Sequence, residues 1–148
     1  MSAFEFSTPG SVGSLRFGMP RERARALLGK AFETFKKTAE SMNTTDAYDV
    51  QRLHLYYDEN DQLEGVEFFQ GSQFSWEGEI LVGVTCHDLK KTLRLHEVEF
   101  LSDNAGIDAK ALGMSFYIPD IYDEGNNAIV KCLYLDLSVA DSKGGYEL

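Results

Sequence analysis

A weak internal repeat is the feature that most constrains the fold of this chain. The motif Gly18-Met19-Pro20 opens the first copy, and Gly83-Val84-Thr85 opens the second, 65 residues later. In each copy a helical stretch follows the motif, and strand-forming sequence follows the helix. The copies span about residues 14–79 and 80–138. We therefore expect one unit built twice, with both copies inside a single domain, residues 1–148.

Each copy is predicted to begin with one short helix. The first helix runs to Leu28, with Pro20 as its first residue, where a missing N–H is harmless, and Gly29 as its C-terminal cap. The second has Thr85 as its N-cap, with Asp88 three residues later in a near capping box. The positions expected to be buried are Ala24, Leu27 and Leu28 in the first helix and Leu89 and Leu93 in the second. The arginines expected to face water are Arg21, Arg23 and Arg25.

Each copy continues with sequence that is typical of an antiparallel hairpin. In the first copy, residues 52–57 alternate in polarity, residues 58–62 supply turn formers, and residues 63–69 form the returning arm. In the second copy the arms are residues 112–118 and 128–137, joined by a longer loop. This alignment places Gly83 over Gly18 and Tyr117 over Tyr56. Shorter strands are predicted at residues 33–38, 73–76 and 97–101.

One such unit alone leaves sheet edges and a sheet face uncovered, so two copies side by side are more stable than one. The predicted fold class is α+β: two tandem helix-plus-antiparallel-strand repeats form one curved sheet, or two abutting sheets, with both helices on one face. Leu53, Leu55 and Tyr57 are expected on the helix-covered face. His54 and Tyr56 then lie on the opposite, open face. For residues 63–69 the alternation does not decide which set faces out.

The formal net charge of −10 is unevenly distributed along the chain. Residues 14–40 carry seven basic and three acidic side chains, whereas residues 46–79 carry nine acidic side chains and one Arg. An acidic protein repels phosphate groups, so nucleic acids and anionic membranes are poor partners, and a basic protein is the natural complement. A contribution to solubility alone explains the charge equally well.

The beginning of the sequence has no basic segment, no long apolar run and no small-residue cleavage site. We therefore predict no signal peptide and a cytoplasmic protein. No run of 18 apolar residues occurs, so no membrane-spanning helix is expected. Cys86 and Cys132 are predicted to be reduced thiols, as is usual in the cytoplasm.

Signatures of catalysis or metal binding are not found in the sequence. It has no Gly-rich phosphate loop, and Gly10-Ser11-Val12-Gly13-Ser14 lacks the strand-to-helix setting of a hydrolase elbow. The neighbours Cys86 and His87 point in different directions on a helix, which disfavours a zinc site and a nucleophile pair. The acidic turn from Asp58 has Leu63 where an EF-hand calcium loop needs Gly. We therefore predict no enzyme activity, no cofactor and no metal.

The first helix carries a motif that resembles a known family. It reads Gly18-Met19-Pro20-x-Glu22-x-x-x-x-Leu27-Leu28-Gly29 and is similar to the helix motif of the BamE/SmpA-type lipoproteins and of β-lactamase inhibitor protein. The family pattern has Gly-Met-Thr, a Glu-Val-like pair and then Leu-Gly-x-Pro; Pro20, Arg23 and Ala31 replace the Thr, the Val and the Pro. The tandem arrangement resembles the inhibitor branch. The resemblance implies a concave sheet surface that grips another protein, rather than an active site.

Members of that family act outside the cytoplasm, whereas no export signal is visible here. The resemblance therefore implies a cytoplasmic relative: an immunity protein that neutralises a cognate bacterial toxin by covering its active site. The alternative is a non-inhibitory assembly or adaptor module, such as a chaperone-like or phage accessory protein. A third reading is a small ligand-binding domain or enzyme that uses the open face as a pocket.

Binding residues are expected among aromatic side chains on the open face and acidic side chains at the hairpin tip. Tyr and Trp bury large areas with few rotatable bonds, and acidic residues steer a basic partner. The candidates for partner binding are His54, Tyr56, Trp76, Tyr117 and Tyr122, with Asp58, Glu59 and Asp61. Tyr134 and Asp136 are the matching candidates in the second copy. The alternative is a core position, because aromatics at alternating spacing in a small sheet belong more often to the core than to an interface.

Overall fold

One open antiparallel sheet of eight strands forms the centre of the fold. The computed structural model describes residues 3–30, 32–36, 38–41 and 43–139. The strands of this part of the chain are β1 (Phe4–Phe6), β2 (Ser11–Val12), β3 (Leu15–Arg16), β4 (Glu33–Phe35), β5 (Thr45–Tyr48), β6 (Leu53–Tyr57), β7 (Leu63–Phe69), β8 (Phe74–Trp76), β9 (Leu101–Ser102), β10 (Gly106–Ala109), β11 (Met114–Tyr117) and β12 (Cys132–Asp136). The helices are α1 (Arg21–Leu28), α2 (Cys86–Leu95) and α3 (Ile121–Glu124), with 3-10 turns at Lys110–Leu112 and Gly125–Asn127.

The strand order of the large sheet is symmetric about its middle. It runs β4-β5-β6-β7-β12-β11-β10-β9, so β7 of the first half pairs with β12 of the second. Each half consists of one helix followed by four antiparallel strands: α1 with β4 to β7, and α2 with β9 to β12. The two halves therefore share one continuous sheet instead of forming two abutting sheets.

Gly18 and Gly83 occupy equivalent positions in the two halves. Each has a positive φ, 82° and 92° respectively, which favours glycine. The N–H of Gly18 donates to the carbonyl of Leu63, and the N–H of Gly83 donates to the carbonyl of Val130, both at 2.8 Å. The residue after each glycine accepts the return bond from the same partner, at 2.7 and 2.9 Å. The motif that opens each repeat thus joins the start of the helix to the sheet.

The helix ends follow the local capping rules. Gly29 is the C-cap of α1, as predicted, and the side chain of Thr85 accepts a hydrogen bond from the Asp88 N–H at 3.1 Å, which confirms Thr85 as the N-cap of α2. Helix α1 begins at Arg21, so Pro20 is its cap residue and not its first helical residue.

The apolar side chains of the strands line one face of the sheet. The strand register arranges them in two cross-strand rows, which are Tyr48-Leu53-Phe68-Leu133-Phe116-Ile107 and Leu55-Val66-Leu135-Met114-Ala109. All of these side chains are at most 2% exposed. Ala24 of α1 and Leu89 and Leu93 of α2 belong to the same core. Both helices therefore cover the same face, and each large apolar side chain buried there contributes about 1.5–3 kcal/mol.

Pairing with β6 decides which side chains of β7 face the core, and a β-bulge changes the alternation at the start of β7. The register between β6 and β7 shifts between Tyr56 and Tyr57. Val66 and Phe68 point into the core, and Glu67 lies between them on the open face. Beyond the bulge, Leu63 also points inward, although a strict alternation would place it with Glu67.

Helix α1 is rotated relative to the prediction. Leu27 is 48% exposed and Arg21 is only 7% exposed, so the predicted burial of Leu27 and exposure of Arg21 are wrong. The cause is Asp46, which lies on the core face of β5 and is fully buried. Its carboxylate accepts hydrogen bonds from Arg21 (3.0 Å), Arg25 (2.8 Å, twice) and the Tyr57 hydroxyl (2.9 Å). Because a buried charge is stable only when paired, α1 is oriented with Arg21 and Arg25 towards Asp46.

Trp76 belongs to the core and not to an exposed surface. Strands β1 and β8 form a small parallel ribbon in which Phe6 is the register partner of Trp76. The indole is 6% exposed, and its ring lies 4.8 Å from the ring of His96. The prediction that Trp76 contacts a partner is therefore wrong, because pairing with β1 encloses it.

Several strand boundaries differ from the prediction. Strand β4 ends at Phe35, and Lys37 of the predicted strand lies outside the described residues, as does Ala31 of the helix motif. Of residues 97–101, only Leu101 belongs to a strand. Strands β5 and β10, which lie inside the large sheet, and the N-terminal strands β1, β2 and β3 were not predicted. The loop at residues 119–127 contains α3 and a 3-10 turn.

Candidate functional site

The candidate site is the open face of the large sheet, opposite the helices. One row of paired residues crosses all eight strands on this face: Glu33-Ala47-His54-Glu67-Tyr134-Ser115-Asp108-Leu101. Phe35, Tyr56, Phe69, Tyr117 and Asp136 occupy the same face on either side of this row, as their registers with Thr45, Gly65 and Cys132 require. The predictions that His54 and Tyr56 lie on the open face are confirmed.

The charged residues at the strand positions of this face are all acidic. Its charged strand residues are Glu33, Glu67, Asp108 and Asp136, and none of its strand positions carries Lys or Arg. Arg52 lies outside the strands, in the β5–β6 turn, where it lines a small cavity with His54 and Phe69. The combination of carboxylates and aromatic rings is suited to a basic, partly apolar surface.

Glu67 lies at the middle of the open face, where the two halves of the sheet meet. Its carboxylate accepts a hydrogen bond from the hydroxyl of Tyr56 at 2.6 Å and from the thiol of Cys132 at 3.3 Å. Burial and the hydrogen bond to Glu67 together raise the pKa of Tyr56 well above its ordinary value, so its phenol stays neutral. Glu67 therefore orders groups from β6 and β12 around one carboxylate.

The ring of His54 packs against the aromatic residues near Glu67. The imidazole lies 4.6 Å from the ring of Phe69, 5.2 Å from Phe35 and 6.4 Å from Tyr56, all centroid distances. Its Nδ1 is 3.8 Å from Glu67, too far for a hydrogen bond, and has no hydrogen-bond partner among the described residues. Burial lowers the pKa of His54, although Glu67 opposes this effect. We therefore treat the imidazole as neutral and the contact as packing, not as an ion pair.

Tyr134 lies across Gly65. A Cβ at position 65 would overlap the ring and the hydroxyl of Tyr134, so only glycine leaves room for this arrangement. The ring of Tyr134 is 5.6 Å from the ring of Tyr56, in an edge-to-face geometry. Burial, together with the nearby carboxylates of Asp136, Glu64 and Glu67, raises the pKa of Tyr134.

A cavity of about 410 Å³ lies at the β6–β7 hairpin, beside Tyr56 and Tyr134. Asp58, Glu59 and Glu64 contribute carboxylates to its wall. Burial, with the negative charges of Asp58 and Asp136, raises the pKa of Glu64. The hairpin and the open face therefore form one acidic and aromatic surface.

The three predicted acidic residues of the hairpin differ in role. Glu59 is exposed, whereas Asp58 holds the turn by accepting hydrogen bonds from the N–H groups of Asn60 and Gln62 at 2.9 and 3.0 Å. Asp61 accepts hydrogen bonds from the Nε of Arg21 at 2.7 Å and from the side chain of Asn43 at 2.8 Å. The expectation that Asp61 is a free steering charge is therefore wrong, because it anchors α1.

The two remaining predicted tyrosines lie on different sides of the molecule. Tyr117 is 51% exposed on β11 and extends the open face. Tyr122 is 73% exposed, but it lies on α3, which contacts the 3-10 turn that packs beside α2. In that turn, Asn126 accepts a hydrogen bond from Lys90 of α2 at 3.3 Å. The structure therefore does not bring Tyr122 together with His54 and Tyr56.

Sequence reasoning missed Glu67, Phe35 and Phe69 as members of the site. The alternation of residues 63–69 contained the signal for Glu67 and Phe69, but their face was undetermined until the register of β7 with β6 and β12 was known. No group of three or more His, Cys, Asp or Glu side chains in the described part of the chain could hold a metal ion. Both cysteines are buried and free. No described helix is long and apolar enough to cross a membrane.

No protein-family model, no curated protein and no solved structure matches this chain.

Proposed function

We propose that this protein is a protein-binding inhibitor of the immunity type, whose open sheet face covers the active site of a basic toxin domain. The observation that carries the proposal is the content of that face: aromatic rings and carboxylates, without Lys or Arg at its strand positions. Aromatic side chains bury large areas at low entropic cost, and carboxylates attract a basic surface. The immunity-type role rests on the family resemblance as well as on this observation. The step from that resemblance to a role is an argument by analogy.

The dimensions of the face support protein binding over binding of a small ligand. Eight strands at about 4.8 Å spacing span roughly 34 Å, and five residues of strand extend about 17 Å. The projected area is on the order of 600 Å², which approaches the roughly 800 Å² that each partner buries in a standard interface.

The hydrogen bonds within the face also support binding. Tyr56 is held by Glu67, and Tyr134 is held between Gly65 and Tyr56. Because these rings are already ordered, binding them costs little conformational entropy. Such preorganisation is typical of an inhibitor surface that binds without rearrangement.

The proposal is tested with a matched pair of tyrosine variants. The partner is first captured from the producing cells with the intact protein, and binding kinetics are then measured with the purified partner. Tyr117→Ala, on the open face, should weaken binding by about tenfold or more, mainly through faster dissociation. Tyr122→Ala removes a ring beside α2 that is even more exposed and should leave the affinity unchanged. Loss of affinity in Tyr122→Ala alone would show that the open face is not the interface.

Charge variants test the basic character of the partner. The double variant Glu33→Lys/Asp108→Lys reverses two charges on the open face and should slow association and flatten its dependence on salt. The control Asp123→Lys/Glu124→Lys makes the same change in net charge at two exposed positions of α3, outside the open face. Equal effects of both double variants would indicate a response to net charge only, and the proposed site would be rejected.

Inhibition is distinguished from simple docking by the activity of the captured partner. An immunity-type protein abolishes the toxic or enzymatic activity of the partner at equimolar concentration, and Tyr117→Ala restores part of it. If the partner binds through the open face and keeps its full activity, the protein is an adaptor and the inhibitory part of the proposal is wrong.

A further inference from the structure

A second surface, on the helical side of the molecule, has the opposite character to the open face. A cavity of about 510 Å³ lies between α1 and the segment that follows β3. Its apolar wall includes Phe17, 51% exposed, and Leu27, 48% exposed, with Met19 beneath them. Arg16 and Arg23 flank it, and none of the described residues that line it is acidic.

The arginines of this region divide into two sets. Arg21 and Arg25 point inward and form ion pairs with Asp46, and Arg21 also pairs with Asp61. Arg16 and Arg23 are exposed and form no ion pair among the described residues. The chain has a net charge of −10, so two guanidinium groups without an ion pair beside an exposed apolar cavity are a local exception to its negative charge.

The cavity wall is held in place by the backbone. The N–H of Gly18 donates to Leu63 at 2.8 Å, and the N–H of Arg21 donates to the carbonyl of Asp61 at 3.1 Å. Arg23 and Leu27 are four residues apart on α1, so they project from the same side of the helix, and both are exposed. The cavity is therefore preformed, and binding there requires little rearrangement.

We propose that this surface, defined by Arg16, Phe17, Arg23 and Leu27, binds an acidic and apolar peptide segment of a second protein. A Leu or Phe side chain of the segment enters the cavity between Phe17 and Leu27. Neighbouring Asp or Glu carboxylates of the segment pair with Arg16 and Arg23, whose planar guanidinium groups bind carboxylates in a bidentate manner. The charge of the two arginines selects the segment, and the apolar cavity supplies the buried area.

This binding activity is independent of the open face. The helices cover one side of the sheet and the open face is the other, so both surfaces are accessible at the same time. The protein then holds a basic partner on one side and an acidic segment on the other.

The test uses two capped synthetic peptides and the full chain. The probe is acetyl-Asp-Asp-Phe-Leu-Asp-Glu-amide, and the control is acetyl-Lys-Lys-Phe-Leu-Lys-Lys-amide, which keeps the apolar pair and reverses the charge. In a two-dimensional amide NMR titration, the acidic peptide should produce saturable shifts at Phe17, Arg23 and Leu27. A Kd of about 0.1–1 mM is expected for so small an interface. The basic peptide should produce no saturable shifts at these residues.

Charge reversal assigns the effect to the two arginines. Arg16→Glu/Arg23→Glu should weaken binding of the acidic peptide by about tenfold or more. Lys91→Glu/Lys110→Glu changes the net charge equally at exposed positions elsewhere and should leave the affinity unchanged. Since none of these four side chains is buried, the variants are expected to fold, and their amide spectra check this directly.

Three results would overturn the inference. Equal binding of the acidic and basic peptides would show that Arg16 and Arg23 do not select the segment by its charge. Shifts confined to the open face would place the peptide elsewhere. Shifts at Phe17 and Leu27 that grow with protein concentration in the absence of peptide would identify a second copy of the chain as the occupant. Tyr117→Ala should leave the titration unchanged, so failure here is separable from failure of the open-face proposal.

Discussion

Arg25 donates two hydrogen bonds to the buried carboxylate of Asp46, from Nε to Oδ2 and from Nη2 to Oδ1, each 2.8 Å long. This bidentate pair, with Arg21 and Tyr57 on the same carboxylate, joins α1 to β5 inside the core. Among the residues that the structure describes, the buried charged side chains are Arg21 and Asp46, and both belong to this network. It also accounts for the orientation of α1 and hence for the exposure of Leu27.

Removing the central carboxylate should destabilise the fold strongly. Asp46→Ala leaves the guanidinium of Arg21 without its buried ion-pair partner, and breaking a buried ion pair in this way costs about 3–5 kcal/mol in the free energy of unfolding. Urea denaturation measures the change. The control is Asp49→Ala, an exposed Asp in the following turn, for which a change within about 0.5 kcal/mol is expected. A loss below about 1 kcal/mol in Asp46→Ala would contradict the network.

Acid should selectively weaken the anchor made by Asp61. Partial burial acts to raise the pKa of Asp61, but hydrogen bonds from Arg21 and Asn43 and the charges of Arg21 and Arg25 outweigh it and lower the pKa below the ordinary value of 3.8. A carboxyl with a lowered folded-state pKa stabilises the fold above its unfolded pKa, and this stabilisation is lost as the pH falls through the folded-state pKa. The difference in unfolding free energy between wild type and Asp61→Asn should therefore shrink below pH 3.8. A difference independent of pH would show that Asp61 acts by packing alone.

Four tyrosines should ionise late in the folded protein. Burial is the main cause that raises the pKa of Tyr48 to about 12, and it also raises the pKa values of Tyr56, Tyr57 and Tyr134. In the unfolded chain the ordinary tyrosine pKa of 10.0 applies. The stability that the neutral, buried phenols contribute to the fold is therefore fully present below pH 10.0, and it is lost as the pH rises towards the folded-state pKa values. Tyrosinate absorbance, followed against pH with and without denaturant, measures the delay. Tyr48→Phe should remove one late-titrating group with little loss of stability at neutral pH, because its hydroxyl makes only a 3.4 Å contact with Gly29.

Gly65 and Tyr134 should be energetically coupled. Gly65→Ala places a methyl group where the ring of Tyr134 lies, so Tyr134 must move, at a cost of about 1–3 kcal/mol in unfolding free energy. In a Tyr134→Ala background the same change should cost much less, which gives a non-additive double-mutant cycle. Denaturation of the four proteins measures the coupling. Additive effects would show that the two residues do not share this space.

Local sequence rules predicted the elements that depend on neighbours along the chain. The C-terminal end of α1 follows from Gly29, the N-terminal end of α2 follows from Thr85, and the β6–β7 hairpin follows from alternation and turn residues. The assignment of His54 and Tyr56 to the open face was correct because adjacent strand residues point to opposite faces. These features require contacts over a few residues only.

Tertiary pairing decided the remainder of the fold. Strands β5 and β10 are short and each contains an Asp, so no apolar pattern marks them, and they form because neighbouring strands complete their hydrogen bonds. The indole of Trp76 is enclosed by β1, about 70 positions earlier in the chain. The inward turn of Arg21 and Arg25 depends on Asp46, more than 20 residues away.

The candidate site also depends partly on local sequence and partly on tertiary pairing. The sequence determined which side chains alternate to a face, and it supplied the repeat that aligns Tyr56 with Tyr117. Only the folded sheet brings Glu67 of β7 against Cys132 of β12, 65 residues later, and orders Tyr56 and Tyr134 around them. Alternation is a property of the backbone of a single strand. A binding surface depends on register between distant strands, which is set by the combined packing of the core and by the bulge at Tyr56 and Tyr57.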